Sequence, residues 1–203
     1  MIWVDQSASM SFASADNLPS KSTRARTVAL ATAILLIRGG ERVGLTGETL
    51  PPRRGGSQIT KLANILSQDE TADYGTPETS GMLPHSRALF VSDFMGNIDA
   101  FETALLKAAD LGVRGVMLQI LDPQEETFPF NGRTIFQSMQ GGLQHETLQA
   151  GDLKTRYLER LAERKDRLTH LARTTGWQFH THHTNAPATS ALLWLYQALA
   201  RSV

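Results

Sequence analysis

The sequence predicts an α/β fold of the Rossmann-like, doubly wound class, with a mostly parallel sheet and helices on both faces. Short apolar segments recur without strict alternation, as expected for strands that are buried on both faces. Longer segments with helical periodicity separate them, and two of the apolar segments end at an aspartate. Strands that alternate with helices in this way usually pair in parallel.

Five elements are predicted in the first third of the chain, with boundaries set by capping and turn residues. Pro19 and Ser20 begin the first helix, Gly39 ends it, and Ser57 caps the second helix. The segment PPRRGG, residues 51–56, predicts a loop before the second helix. The elements are strand 2–4, helix 20–38, strand 42–46, a strand beginning at 49–50, and helix 58–66.

After a predicted loop over residues 67–85, strands and helices alternate again. Asp99 and Glu102 predict a capping box, and Gly112 ends the helix that they begin. Asn131 and Gly132, within FPFNGR, predict the turn of an inserted β-hairpin. The elements are strand 88–92, helix 99–112, strand 115–121, the hairpin 128–136, helix 152–173, strand 177–182 and helix 187–201.

Composition favours one globular domain over residues 1–203. A chain of 203 residues with 41% hydrophobic content is long enough to bury a substantial core. The longest apolar stretch, residues 28–37, is about half of the ~20 residues that a membrane span requires. Because Met1 directly precedes a predicted buried strand, we expect the chain to be the trailing part of a longer protein.

Charge and cysteine content exclude several classes of site. Lys plus Arg and Asp plus Glu each number 20, so no net field attracts nucleic acid or an anionic membrane. The absence of cysteine excludes disulfides, thiolate zinc sites and a cysteine nucleophile. A cytoplasmic location is the expectation that follows.

Oxygen-bearing side chains follow two of the predicted strands. Asp5, Ser7 and Ser9 come at alternate positions after the first strand, and Asp93 follows the fourth. In the strand order 3-2-1-4-5-6 the first and fourth strands are neighbours, and ligands bind at their carboxyl ends. Hard oxygen atoms of this kind suit Mg²⁺. A turn in which Asp and Ser bond their own backbone is the alternative.

These residues resemble a known motif. Asp5-Gln6-Ser7-Ala8-Ser9, followed by Val91-Ser92-Asp93, is similar to the metal-ion-dependent adhesion site of von Willebrand factor A domains. The surrounding segments SASM, LPPRRGG, VSDF, LDPQEE and FPFNGR resemble the bacterial domain of unknown function 58. The resemblance spans nearly the whole chain and implies a von Willebrand factor A-like domain.

The resemblance also implies a function and a set of ligands. The domain would bind Mg²⁺ and use it to dock an acidic residue of a partner protein, as an adaptor associated with a MoxR-type AAA+ ATPase in protein maturation. Ser7 and Ser9 would be direct ligands, whereas Asp5 and Asp93 would act through water. Thr76, after Gly75, matches the middle ligand. The segment after Thr76 is shorter than the family pattern, so Thr79 is a rival.

Other readings of the same residues remain open. A Mg²⁺-dependent phosphohydrolase also has an aspartate after the first strand, but a second carboxylate would be expected where Ser7 stands. No nucleotide-binding Gly-Lys loop occurs, and we expect no enzymatic activity. A scaffold with a degenerate metal site is the third possibility. Mn²⁺ requires similar oxygen ligands, so the sequence does not distinguish it from Mg²⁺.

Three further charged or polar groups receive ordinary interpretations. The histidines of HTHH, at positions 180, 182 and 183, lack a predicted third ligand and are expected at a strand end rather than in a zinc site. The basic residues of the long helix are interspersed with acidic ones, which is typical of a solvated helix face. Arg53 and Arg54 are expected in an exposed loop.

Overall fold

The computed structural model of the chain describes residues 1–69, 71–130, 134–137, 144–147 and 150–200. Six strands and six α-helices are present in this part of the chain. The strands are β1 (Ile2–Val4), β2 (Arg87–Ser92), β3 (Arg114–Leu121), β4 (Thr134–Gln137), β5 (Gln144–Thr147) and β6 (Gln178–His183). The helices are α1 (Lys21–Arg38), α2 (Gly56–Leu66), α3 (Ile98–Asp110), α4 (Pro123–Thr127), α5 (Ala150–Thr175) and α6 (Ala188–Ala200).

The main sheet has four parallel strands in the order β1-β2-β3-β6. In its first pair, Ile2 lies opposite Leu89 and Val4 opposite Val91. The predicted neighbours of the crevice are therefore confirmed, since β2 is the strand that ends at Asp93. Both carboxyl ends meet at the same edge of the sheet.

Alternate side chains of the sheet enter two separate apolar cores, because successive residues of a strand point to opposite faces. Ile2, Val4 and Val91 pack with helices α1, α2 and α6 on one face. Trp3 and Phe90 pack with α3 and α5 on the other face. The predicted α/β class with helices on both faces is confirmed.

The second and third predicted strands, residues 42–46 and 49–50, were wrong as strands. This region makes two isolated bridges instead, one parallel between Ile2 and Leu45 and one antiparallel between Val43 and Arg53. Pro51 and Pro52 have no backbone N–H to donate, so they cannot extend the pairing with Val43 into a ladder. The segment still covers the open edge of β1.

The predicted start of the first helix is confirmed, whereas the predicted starts of the second and third helices are corrected. The Ser20 hydroxyl accepts the Thr23 N–H at 3.1 Å and caps α1. Helix α2 begins after Gly55, not Ser57, because Gly55 adopts φ 93° at the cap position. Helix α3 is capped by Asn97, whose side chain accepts the Asp99 N–H at 2.9 Å. Asn97 is as good a cap as Asp99 and comes earlier.

The inserted hairpin is confirmed, but its turn was predicted in the wrong place. Strands β4 and β5 pair in antiparallel fashion, with Thr134 opposite Thr147. The connection between them therefore falls after Gln137. Asn131 and Gly132 lie outside the described residues. Phe128 is not in a strand, because it ends helix α4 with φ 41°.

Gly115 of β3 tests the packing of the sheet against Trp177, which lies between α5 and β6. A Cβ at this position would lie 2.8 Å from Cζ3 of Trp177 and would also meet the Ala88 carbonyl oxygen. We expect Gly115→Ala to lower the free energy of unfolding by about 1–3 kcal/mol through overpacking, measured by urea denaturation. Gly56→Ala is the control, because its Cβ would meet no atom within 4 Å. Equal effects of the two changes would contradict this view of the core.

Candidate functional site

The loop after β1 brings its three predicted oxygen ligands together. The Asp5 carboxylate accepts hydrogen bonds at Oδ1 from the Ser7 backbone N–H at 3.0 Å and the Ser7 hydroxyl at 2.5 Å. The hydroxyls of Ser7 and Ser9 lie 3.2 Å apart. All three side chains are buried. A single turn of 3₁₀ helix, Ala8–Ser11, fixes the two serines on one side of the loop.

A residue of β2 completes the surroundings of Asp5. The Ser92 hydroxyl donates to Asp5 Oδ2 at 2.7 Å and accepts the Phe94 N–H at 2.8 Å. Burial raises the pKa of the Asp5 carboxyl, although the hydrogen bonds from Ser7 and Ser92 act in the opposite direction. Sequence reasoning did not assign Ser92 a role, although it precedes Asp93 directly.

Asp93, the other predicted carboxylate, is bonded to a lysine that sequence analysis missed. Asp93 Oδ1 accepts the Met95 N–H at 2.9 Å, and Oδ2 accepts the Lys21 ammonium at 2.8 Å. Lys21 is the first residue of α1, and its side chain is only 3% exposed. Its position directly after the cap Ser20 was visible in the sequence, but its partner was not.

Glu125 of helix α4 is the second partner of Lys21. The ammonium donates to Glu125 Oε1 at 2.7 Å, and Glu125 Oε2 accepts the Asp122 N–H at 2.8 Å. That second bond is half of a capping box that begins α4. The pattern Asp122-Pro123-Gln124-Glu125 could have predicted this short helix, but not its ion pair.

The buried charge cluster, defined here as Lys21, Asp5, Asp93 and Glu125, is deficient in positive charge. Burial alone would lower the pKa of the Lys21 ammonium, but Asp93 and Glu125 reverse this and raise it. Burial raises the pKa of the Glu125 carboxyl despite Lys21. Three carboxylates (−3) and one ammonium (+1) sum to −2 when all are ionised. A divalent cation would neutralise the cluster.

Thr76 lies beside this group but faces another cavity. Gly75 is buried against Asp5, since a Cβ there would lie 2.6 Å from Asp5 Cγ. Thr76 lines a neighbouring cavity of about 470 Å³ together with Gln6, whereas Thr79 lines neither cavity. The Thr79 carbonyl oxygen instead accepts the Met82 N–H at 3.3 Å. Thr76 therefore follows a residue that packs on Asp5, but it lines the neighbouring cavity rather than the one lined by Ser9 and Asp93.

The loop that carries Thr76 is tied to the serine loop through its backbone. The Ala8 N–H donates to the Ala72 carbonyl oxygen at 2.9 Å, and the Ser9 N–H donates to the Asp73 carbonyl oxygen at 3.0 Å. These bonds hold the irregular segment against the 3₁₀ turn. The position of the serine hydroxyls therefore depends on a segment distant in sequence.

A cavity of about 580 Å³ opens above the charge cluster. Ser9, Lys21, Asp93 and Glu125 line one end of this cavity. Aromatic side chains form much of the wall, namely Phe12, Tyr74, Phe128, Phe130 and Tyr157. Burial raises the pKa of Tyr157 to about 12, so this phenol stays neutral and can donate a hydrogen bond.

Two arginines of helix α5 lie at the same cavity. Arg164 donates to the Gly96 carbonyl oxygen at 2.9 Å, so its guanidinium is already held in place. Arg160 is exposed and also lines the cavity. The cavity therefore combines an oxygen-rich floor, an aromatic wall and a cationic side.

Hard oxygen atoms are the ligands available for a metal ion here. Within the described part of the chain, no group of three or more His, Asp or Glu side chains is arranged to hold a metal. The hydroxyls of Ser and Thr can also bind a metal, and they are not among those side chains. The hydroxyls of Ser7 and Ser9, with Asp5 behind them, could hold a small divalent cation through direct and water-mediated bonds. Asp93 is already engaged by Lys21.

The remaining predicted groups do not join this site. His180 stacks on Trp194 at a centroid distance of 4.6 Å, and His183 contacts Glu126 at 2.6 Å. Burial lowers the pKa of His182 to about 4. Apart from Arg160 and Arg164, which line the cavity, two basic residues of α5 pair with neighbouring helices: Lys165 with Glu126 of α4, and Arg167 with Asp99 and Glu102 of α3.

Comparison with known proteins places this fold in a family. The profile described as "Protein of unknown function DUF58" matches residues 1–167. An aerotolerance-related membrane protein from Bacteroides fragilis is similar in structure, with a TM-score of 0.53, 16% identity, and 98% of this chain and 97% of that chain covered. The conserved hypothetical protein BatB from Bacteroides thetaiotaomicron has a TM-score of 0.52 and 14% identity, with 98% and 96% covered. No protein with a curated description matches.

The expectation of a cytoplasmic location is corrected by this comparison. The B. fragilis protein is described as a membrane protein, which contradicts that expectation. None of the helices in the described ranges is both long and apolar enough to cross a bilayer.

The resemblance seen in the sequence is confirmed at the level of family and fold. The profile covers most of the chain, including the Asp5–Ser9 loop, Asp93 and Glu125. The two solved structures share the α/β architecture over nearly their whole length. At 14% and 16% identity they are evidence for the fold alone. This chain is a member of the DUF58 family, with a von Willebrand factor A-like fold.

Proposed function

We propose that this domain binds a partner protein at the aromatic-walled cavity, using Mg²⁺ to dock an acidic side chain of the partner. The observation that carries the proposal is the charge cluster, in which three carboxylates surround one ammonium and the formal charge is −2 when all four groups are ionised. Buried uncompensated charge is costly, and a bound divalent cation would relieve that cost. The hydroxyls of Ser7 and Ser9 lie 3.2 Å apart beside the Asp5 carboxylate, which supplies oxygen ligands near that charge.

The ligand set that we propose combines these contacts with the family resemblance, which supplies Thr76. Ser7 and Ser9 supply direct oxygen ligands, Asp5 orients the Ser7 hydroxyl and bound water, and Thr76 contributes from the adjoining loop. Asp93 acts through water. Mg²⁺ keeps several of its waters in protein sites, so a partner carboxylate can replace one of them. Mn²⁺ could substitute, because it uses the same ligand types.

The walls of the cavity define the chemistry of the partner. Arg160 is exposed beside the oxygen-rich floor, so it would attract an acidic segment. Phe128 contacts both Phe130 and Tyr157, with ring centroids 5.2 Å and 5.0 Å apart. An aromatic or branched apolar side chain would pack on these rings. We therefore expect an Asp or Glu next to a bulky apolar residue.

The wider role of the domain is a separate part of this proposal. The description of the B. fragilis neighbour as a membrane protein favours action beside a membrane. The resemblance to the family favours a MoxR-type AAA+ ATPase as partner, with the domain acting as an adaptor. Neither proposal alters the local chemistry, which requires only an acidic protein segment.

A docking role agrees better with the geometry than phosphoryl transfer does. A nucleophilic Asp5 would need an exposed carboxylate, but both of its oxygens accept hydrogen bonds and the side chain is buried. Ser7 occupies the position where the general acid of such an enzyme would stand. Lys21 could contact a phosphate, but its ammonium is already shared by two carboxylates.

Metal binding is tested by thermal unfolding with chelator and with saturating Mg²⁺. A ligand at 100 times its Kd stabilises by about 2.7 kcal/mol, or several degrees at roughly 2–4 °C per kcal/mol. We expect that shift in the parent protein and its loss in Asp5→Asn, which keeps the side-chain shape. Asp16→Asn, on the exposed surface, is the control. A full shift in Asp5→Asn would place the ion elsewhere.

The choice between Thr76 and Thr79 is tested by isosteric removal of each hydroxyl. We expect Thr76→Val to weaken the Mg²⁺ response by roughly ten-fold or more, as loss of a supporting ligand does in metal sites. Thr79→Val should leave it unchanged, because Thr79 lines neither cavity. Calorimetric titration with Mg²⁺ measures both. The reverse result would make Thr79 the ligand.

The docking cavity is tested with peptides that carry Glu beside Phe, together with Gln-containing copies. We expect Arg160→Glu to weaken binding of the Glu peptides by about five-fold or more, as reversal of a partly solvated charge contact would. Fluorescence anisotropy at two salt concentrations measures the change. Arg173→Glu is the control, because Arg173 is exposed on the same helix and does not line the cavity. Equal losses in both variants would indicate a non-specific charge effect.

A further inference from the structure

We propose that Lys21 is an internal counter-cation that competes with Mg²⁺ for Asp93 and keeps the metal affinity of the unpartnered domain low. The inference rests on the proposed function, because it concerns the same metal site. It assigns a task to a buried lysine that the docking chemistry does not otherwise use.

Both oxygens of the Asp93 carboxylate already accept a hydrogen bond. One oxygen of this carboxylate accepts the Met95 N–H at 2.9 Å, and the other accepts the Lys21 ammonium at 2.8 Å. An ion bound by Ser7 and Ser9 would call on Asp93 to hold one of its waters. Each carboxylate oxygen has two lone-pair sites, so a metal-held water could reach either one, but it would share that oxygen with the ammonium or with the backbone N–H.

The Lys21 side chain and backbone are both fixed in place. Its backbone N–H donates to the Phe12 carbonyl oxygen at 3.1 Å, and Ser20 caps the helix directly before it. The ammonium also bonds Glu125, which the capping box of α4 holds in turn. The Phe12 ring covers it, with its centroid 6.0 Å from Nζ. Lys21 therefore acts as a fixed positive charge rather than a mobile one.

The expected effect of Lys21 on a bound metal ion is electrostatic repulsion. A fixed ammonium that shares a carboxylate with a divalent ion repels that ion at low effective dielectric. A partner carboxylate that enters the cavity attracts both cations, and this attraction offsets the repulsion between them. Metal and partner would then bind with positive coupling, and the coupling is reciprocal. Lys21 thus makes retention of the metal depend on the partner.

Variants that separate net charge from occupancy of Asp93 test the proposal. Lys21→Met removes the ammonium and keeps much of the side-chain volume. The double variant Lys21→Met/Glu125→Gln removes one charge of each sign, so its net charge equals that of the parent. We expect the double variant to bind Mg²⁺ roughly ten-fold or more tightly than the parent, and Lys21→Met at least as tightly. Calorimetric titration with Mg²⁺ alone measures both affinities.

The other outcomes distinguish failure of the competition for Asp93 from failure of the metal site itself. Equal affinity of parent and double variant would overturn the competition but leave the metal site intact. Absence of binding in every protein would overturn the proposed function, and this inference with it. If Lys21→Met unfolds in chelator, recovery of its circular dichroism with Mg²⁺ supports the proposal, whereas failure of both variants to fold at any Mg²⁺ concentration overturns it. Lys165→Met, which breaks the pair with Glu126, should behave like the parent.

Discussion

The ion pairs of Lys21 are the interactions on which the site depends. They join the start of α1, the end of β2 and the helix after β3, three segments that are far apart in the sequence. A lysine buried among apolar side chains is tolerated only because two carboxylates receive its ammonium. Loss of either partner would leave the ammonium, whose side chain is only 3% exposed, with a single carboxylate partner. The crevice at the edge of the sheet is therefore held open and in register by electrostatics as well as by packing.

The same feature explains why the oxygen cluster is arranged as it is. Asp5 has hydroxyl and backbone donors around it, whereas Asp93 has an ammonium. Two carboxylates at neighbouring strand ends thus have different counterparts, one neutral and one charged. That asymmetry leaves the Asp5 side as the place where a new cation gains most. It also separates the metal position from the part of the cavity lined by Glu125.

Much of this arrangement could be predicted from sequence, because it follows from local patterns. The alternation of apolar strands with helices indicated the fold, and the spacing of Asp5, Ser7 and Ser9 indicated the loop. The rest depended on contacts between distant residues. No local pattern joins Lys21 to Asp93 or to Glu125. The failed strand near Val43 had the right composition, but neighbouring prolines stopped its ladder. The turn of the hairpin was misplaced because Asn-Gly is a strong turn signal that need not connect the strands beside it.

The backbone bonds from Ala8 and Ser9 to Ala72 and Asp73 have a consequence for how the family can vary. Irregular segments usually tolerate changes in length, because little else depends on their path. Here the irregular segment supplies the carbonyl oxygens that hold the serine turn, and Gly75 within it leaves just enough space for a carboxylate. Insertions before Gly75 would therefore shift the serines themselves. A change of length between Ala72 and Gly75 would therefore cost this domain more than a change in a loop whose backbone holds no other segment.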